Sequence, residues 1–349
     1  MTLTQSISGW LETRLMTKRL FFWLGVAVVL AGVSALVEAQ TTPPAASRQA
    51  YTPPRTPWGD PDLQGAFTNS DESQTPMERP KELEGRRLED ITADELATLN
   101  EQRNQARTRA DEIRWELRSP LHWFENIGFR NSRAWMVTDP PDGRIPPLTP
   151  QARQRAAARA EARKGRGEAD SYEDRSLFDR CISRGIPGSM MPAIYGNSYD
   201  ITQGPGYVGI RYEMINEARI IPLSAGPHVG PAIRSYMGDA RGHFEGTTLV
   251  VETTNMHDRI AYRGASARLR LVERFTPVAP GVLEWAITLD DPETWARPWT
   301  FAMHLKQVSA SESPFEYACH EGNYAMFNLL SIARTEEAQA AKGAATPAR

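Results

Sequence analysis

Gly238-Asp-Ala-Arg-Gly-His-Phe-Glu-Gly-Thr-Thr-Leu-Val-Val-Glu-Thr-Thr-Asn255 reads as two short strands meeting at a Glu245-Gly246 turn. Its second half is rich in β-branched residues, which suit a pleated, half-buried surface. The same stretch concentrates polar chemistry in Arg241, His243, Glu245 and Glu252. Segments of similar grain extend outward at 207–215, 218–223, 268–275, 283–289, 299–306 and 315–319. Gly204-Pro-Gly206 and Ala279-Pro-Gly281 mark turns between them. Close, regular spacing of this kind argues an antiparallel meander curled into a barrel or sandwich.

A strand sends alternate side chains to opposite faces, so the inner faces are legible. Leu283, Trp285, Ile287 and Leu289 share one face, and Trp299, Phe301, Met303 and Leu305 share another. Leu269, Leu271, Glu273 and Phe275 form a third, with a carboxylate among apolar neighbours. A buried carboxylate has to be paired or hold its proton. The expected fold is mainly β: an antiparallel, lipocalin-like β-barrel or curled sheet. Peripheral helices are expected at about 92–118, 149–164 and 324–341.

The first helix is announced by Thr92-Ala-Asp-Glu95, a capping box, and by a stripe of Leu96, Leu99, Ala106, Ala110, Ile113 and Leu117 that Arg103 interrupts. The second begins at Thr149-Pro150, with Thr as cap and Pro at the first helical position. Its body is Ala, Arg and Gln, without an apolar stripe, which predicts a solvated helix. A strand at 134–138 and a turn over Asp139-Pro-Pro-Asp-Gly-Arg144 lie between the two helices.

A chain of 349 residues allows one large domain or two small ones. The net charge of −3 offers no broad basic field for nucleic acid. Lys18-Arg19, the apolar run 20–36 and Val37-Glu38-Ala39 read as a secretory signal cleaved after Ala39, giving a periplasmic or secreted protein. A single retained membrane anchor is the competing reading. The expected organisation is a signal over 1–39, a flexible tether over 40–57 and a helical, loop-rich wrapping region over 58–198. A barrel core with its closing helix follows over 199–334, and a disordered tail over 335–349. The two cysteines, Cys181 and Cys319, suit one disulfide in an exported chain, and two buried thiols are the alternative. Such a disulfide is worth about 5 kcal/mol in the chain-entropy account.

The chain resembles a large family of uncharacterised exported proteins of soil and marine bacteria. The matching stretches include Thr56-Pro-Trp-Gly-Asp-Pro-Asp-Leu-Gln-Gly65, Asp139-Pro-Pro-Asp-Gly-Arg-Ile-Pro-Pro-Leu-Thr149, Arg180-Cys-Ile182, Gly238-Asp-Ala-Arg-Gly-His-Phe-Glu-Gly246 and Tyr317-Ala-Cys-His-Glu-Gly-Asn-Tyr324. The resemblance runs from about Arg55 to Arg334 and implies export, a β-rich body and no established reaction. Where the family usually reads Asp-Gly-Arg-Pro-His, this chain has Ser224-Ala-Gly-Pro-His228. Where it usually reads Arg-Trp-Glu-Gly-Asp, this chain has His243-Phe-Glu-Gly-Thr247.

Candidate chemistry falls on few residues. Glu245 and His243 stand two apart on a strand, so they share a face and form an acid/base or metal-binding candidate, or a solvent-facing pair at a hairpin end. H-x-E occurs in zinc deaminases, but the P-C-x-x-C partner is absent, and no metal or cofactor is expected. His228 lies in a Gly/Pro-rich loop, and His320, Glu321 and Asn323 follow the last expected strand. Arg219, Arg241 and Arg274 are expected to pair with Glu245, Glu252 and Glu273, or to form a fork for a ligand carboxylate or phosphate. No G-x-S-x-G, Walker loop, dinucleotide fingerprint or H-E-x-x-H is present.

Three readings remain open. The first is a monomeric barrel enclosing a small, largely apolar organic molecule, its polar end held by Arg, Glu and His. The second is a metal-independent acid/base enzyme (isomerase, lyase or hydrolase), with Glu245 or Glu273 as base and His228 or His320 as acid. The third is a structural envelope protein with a filled barrel.

Overall fold

The computed structural model describes residues 51–115, 130–193, 195–224, 226–260, 262–309 and 314–344. The chain divides into two units, Met1–Ala50 and Tyr51–Arg349, and the description concerns the second. The expected signal and most of the expected tether lie outside the described residues.

Ten strands form one antiparallel sheet. They are β1 (Gly65–Thr68), β2 (Val137–Asp139), β3 (Ser198–Gly204), β4 (Tyr207–Tyr212), β5 (Ala218–Pro222), β6 (Asp239–Glu245), β7 (Thr248–Thr254), β8 (Arg270–Ala279), β9 (Val282–Asp290) and β10 (Trp299–Gln307). Their order is β5-β4-β3-β1-β10-β9-β8-β7-β6, with β2 pairing on β10. The sheet curls until its two edges, β5 and β6, meet without a shared hydrogen-bond ladder, so the barrel is nearly closed. Gly242 of β6 makes that approach feasible: a Cβ there would stand 2.8 Å from the Ile221 side chain of β5.

The β6–β7 hairpin is the one expected from the sequence. Glu245 pairs with Thr248, and Gly246 has φ +63° at the first loop position, the pattern of a II′ turn. From β8 to β10 the register stacks the predicted inner faces: Phe275 opposite Trp285, Trp285 opposite Met303, and Leu289 opposite both Leu271 and Trp299. Trp285, Phe275, Phe301, Trp299, Met303 and Leu305 all have no exposed surface. Trp285 meets Phe301 edge-on at 5.7 Å between centroids, a favourable quadrupole arrangement. Each such side chain contributes about 1.5–3 kcal/mol by leaving water.

Several boundaries differ from expectation. The barrel recruits β1 and β2 from the region read as wrapping, and β1 bridges β3 to β10. Segment 315–319 is not a strand: it pairs with no strand among the described residues, and Phe315 is 78% exposed there. Strand β3 was unforeseen because Ser, Asp, Thr and Gln alternate poorly, although Tyr199 and Ile201 do face inward. Residues 51–57 are packed rather than a tether: Arg55 bridges Pro61, and Thr56 is buried.

Three helices lie around the sheet among the described residues: α1 (Ala93–Trp115), α2 (Pro150–Ala162) and α3 (Tyr324–Ala344). The Thr92 hydroxyl caps α1 by accepting from the Glu95 amide at 3.2 Å. The Glu95 carboxylate leaves the expected box and binds Arg86 at 2.9 Å, because a guanidinium is the stronger donor. Leu96 and Leu99 pack on the core, while Arg103 donates to Asn131 at 2.8 Å and to the Ala134 carbonyl at 2.6 Å. The polar residue in the stripe is therefore a tie between helix and barrel. Residues 116–129, where this helix was expected to end, lie outside the described residues. Thr149 caps α2 as expected, and only Ala152 of that helix is buried. The closing helix extends to Ala344, so residues 335–344 are helical where a disordered tail was expected.

Candidate functional site

The strongest embedded charge, Glu273 on β8, has no exposed surface and faces Arg219 of β5, which is 5% exposed. Two parallel hydrogen bonds of 2.6 and 2.8 Å join the guanidinium to the carboxylate, and Trp285 Nε1 donates to the same carboxylate at 3.0 Å. Burial works against the Arg219 charge, but Glu273 outweighs it and the guanidinium is held above its ordinary value. The pair joins edge strand β5 to β8, which lies beyond β6 and β7 across the seam. It ties the seam where β5 and β6 share no ladder. Beside it, burial raises the Tyr212 phenol. Buried aromatic and aliphatic side chains, Trp285, Phe275, Phe301 and Met303 among them, surround this pair in the interior.

The other predicted residues lie on the outside. Glu245 accepts from Arg274 at 2.6 Å and meets His243 at 3.2 Å. Arg274 first, then His243, hold its carboxylate below the usual range, which weakens it as a base. His228 sits between two carboxylates, with Nδ1 2.8 Å from Asp239 and Nε2 3.2 Å from Glu252. Arg241 joins this cluster at 2.6 Å from Asp239 and reaches the Pro227 carbonyl at 3.2 Å. These contacts strap the loop between β5 and β6 onto the barrel wall. Burial works to raise Asp239, and the Val229 amide, His228 and Arg241 together bring it below its usual value.

His320 and Glu321 are exposed in a turn. Asn323 donates to the Asp179 carbonyl at 2.9 Å and to Cys181 Sγ at 3.2 Å. Cys181 and Cys319 form the disulfide, with Cα atoms 5.7 Å apart. The predicted residues thus gather into four separate places: an interior pair, a hairpin end, a loop strap and a disulfide anchor. None of them lines the pockets described next.

A cavity of about 450 Å³ opens on the flank of the barrel, inside the size range of small-molecule sites. Leu177, Phe178, Met214, Ile260 and Tyr262 give it apolar walls, and Arg184, Tyr195 and Arg259 supply polar ends. Its outer wall is the segment that the disulfide and Asn323 pin down. Gly185, at φ +60°, lets that wall close on the barrel: a Cβ there would stand 2.2 Å from Ile260. The Arg184 guanidinium packs on the Phe178 ring at 5.4 Å and donates to the Met191 carbonyl at 3.5 Å. No carboxylate lies within salt-bridge distance of it among the described residues. Burial lowers Arg184 from its ordinary value, Tyr199, Glu217 and Tyr195 opposing. Behind the wall, burial raises Glu217, although the Ser183 hydroxyl, the Arg184 amide and Ser189 stabilise its charge. Burial also raises Tyr262 and Tyr317, and Tyr317 stacks on Tyr195 with the two hydroxyls 3.3 Å apart.

A second cavity of about 450 Å³, between α1 and β2, differs in one respect. Its Arg133 is already neutralised by Glu284 at 2.7 Å, so it offers no unmatched charge. Sequence reading missed the flank pocket because its walls come from irregular segments without period. The signal that was present is Gly185-Ile-Pro-Gly188, a Gly/Pro turn four residues after Cys181.

By its fold, the chain is a nearly closed antiparallel β-barrel with peripheral helices and one disulfide. No family model, curated protein or solved structure matches it.

Proposed function

We propose that the protein is an exported, monomeric β-barrel protein that binds a small, largely apolar organic molecule in the flank pocket. The observation that carries this is Arg184: a half-buried guanidinium without a carboxylate partner, in a mostly apolar cavity of about 450 Å³. Apolar walls with a few convergent polar groups of shifted proton affinity are the usual make-up of a ligand site. A disulfide supports export, since such bonds persist in oxidising compartments. The apolar run 20–36 and the family resemblance point the same way. No described helix is long and apolar enough to cross a membrane.

The test is the binding of N-phenylnaphthylamine, a neutral apolar fluorophore, to the full chain and to Gly188→Phe. Gly188 lines the cavity and a Cβ on it meets only Arg184 Cβ, at an ordinary 3.5 Å, so a larger side chain is introduced there to occupy the pocket. The expected result is saturable binding that Gly188→Phe weakens by roughly tenfold or more, about 1.4 kcal/mol. Binding equal in both proteins rejects the flank pocket. The many fully buried aromatic and aliphatic side chains inside the barrel support a second reading, a structural envelope protein with a filled barrel, which predicts no saturable binding at all. The acid/base enzyme finds less support, because Glu245, Glu273, His228 and His320 do not converge on a common cavity.

A further inference from the structure

Next to the flank pocket lies another cavity, of about 520 Å³, that shares Ser176, Leu177 and Arg259 with it. Its chemistry is of the opposite kind. Arg159, Arg175, Arg180 and Arg259 line it against Glu173 and Asp258. The acidic groups do not neutralise these arginines pairwise. Asp258 contacts His257 at 2.9 Å. Arg175 is held by Glu168 at 3.3 Å and Asp179 at 3.5 Å. Arg180 lies over the Tyr172 ring at 5.0 Å, which fixes its guanidinium without cancelling its charge. Arg159, Arg180 and Arg259 have no ion-pair partner within 4.0 Å among the described residues. Arg159 is presented by α2, the helix with no apolar stripe and a single buried residue.

Resting on the proposed binding reading, we infer that the natural ligand is an amphipathic anion. Its apolar body occupies the flank pocket, and its carboxylate, sulfonate or phosphate head occupies the arginine-lined cavity, with Arg259 at the junction. Guanidinium groups match the geometry of such heads, and three arginines without partners gain Coulomb energy that a neutral ligand cannot supply. The shared walls make the two cavities one elongated site with an apolar end and a cationic end. A neutral molecule would use only half of it.

The experiment compares two fluorophores of nearly the same apolar body, anilinonaphthalene sulfonate and N-phenylnaphthylamine, on the full chain. The anionic dye is expected to bind roughly tenfold more tightly at about 0.05 M salt, the advantage shrinking at about 0.5 M as screening sets in. In Arg159→Gln/Arg180→Gln, which removes two of the three unpartnered head-group arginines and none of the residues lining the flank pocket, the advantage is expected to shrink roughly threefold or more. Affinity for the neutral dye is expected to stay. If the neutral dye binds in a Gly188→Phe-sensitive way but the anionic dye gains nothing, the head-group inference fails and the binding reading survives. An anionic preference undiminished in the double variant also overturns the inference. If neither dye binding responds to Gly188→Phe, the pocket reading itself falls.

Discussion

The barrel interior and the barrel flank both bury charge, and they treat it in opposite ways. Inside, Arg219 and Glu273 neutralise each other through two short hydrogen bonds, Trp285 adds a third, and apolar side chains close over them. On the flank, Arg184 and Glu217 are both partly buried, and burial disfavours the charge on each. No salt bridge joins their side chains among the described residues. A matched buried pair holds a fold together. A desolvated guanidinium beside an open apolar cavity waits for something to complete it.

This contrast breaks most readily at the interior pair. Glu273→Ala leaves Arg219 uncompensated in the core and is expected to cost about 3–5 kcal/mol by urea unfolding. Replacing both partners by Leu and Met is expected to recover most of that loss, because the desolvation cost disappears with the charges. Neither change is expected to alter dye affinity at temperatures where the protein stays folded. A Glu273→Ala variant of wild-type stability would show that the pair does not tie the seam.

Cys319→Ser tests the flank wall. It is expected to cost about 2–5 kcal/mol and, unlike the interior variants, to weaken dye binding as well. Unchanged affinity in the folded variant would mean that the disulfide does not shape the pocket.

Glu217 yields a smaller, pH-dependent effect. Its folded value is raised above the ordinary 4.5, so the folded protein holds this proton more tightly than the unfolded chain does. Its contribution is complete below that ordinary value and is lost as pH rises through the raised one. Glu217→Gln is therefore expected to flatten the fall of stability with pH above about 4.5, measured by urea midpoints across the range. Parallel profiles for the two proteins would contradict this.

The smallest effect belongs to Glu245. Its exposed pairs with Arg274 and His243 are screened by water, and Glu245→Gln is expected to shift the melting midpoint by less than about 2 °C.

Much of the barrel was legible because period-two alternation is a local signal. The faces carrying Leu271, Trp285 and Phe301 emerged directly from it, as did the turn at Gly246. The pairing of Arg219 with Glu273 was among the expected ones, since a carboxylate on an apolar face needs a partner. What was hidden depends on distant pieces of chain. Strand β1 lies far in sequence from its neighbours β3 and β10, and no local pattern says where four residues will pair. The flank pocket is assembled from three irregular stretches, around Phe178, Met214 and Ile260, that meet only after the barrel has formed. His228 was read as a possible acid, whereas Asp239, its near partner at 2.8 Å, carried no signal as one.

The central claim is that the ligand lies on the flank and not in the barrel. Photolabelling tests it most directly, with a small apolar diazirine carried on the full chain and the labelled peptides read by mass spectrometry. The account predicts label on residues 176–195 and 259–262, displaced by N-phenylnaphthylamine. Displaceable label on the inner faces of β8, β9 and β10 would contradict it.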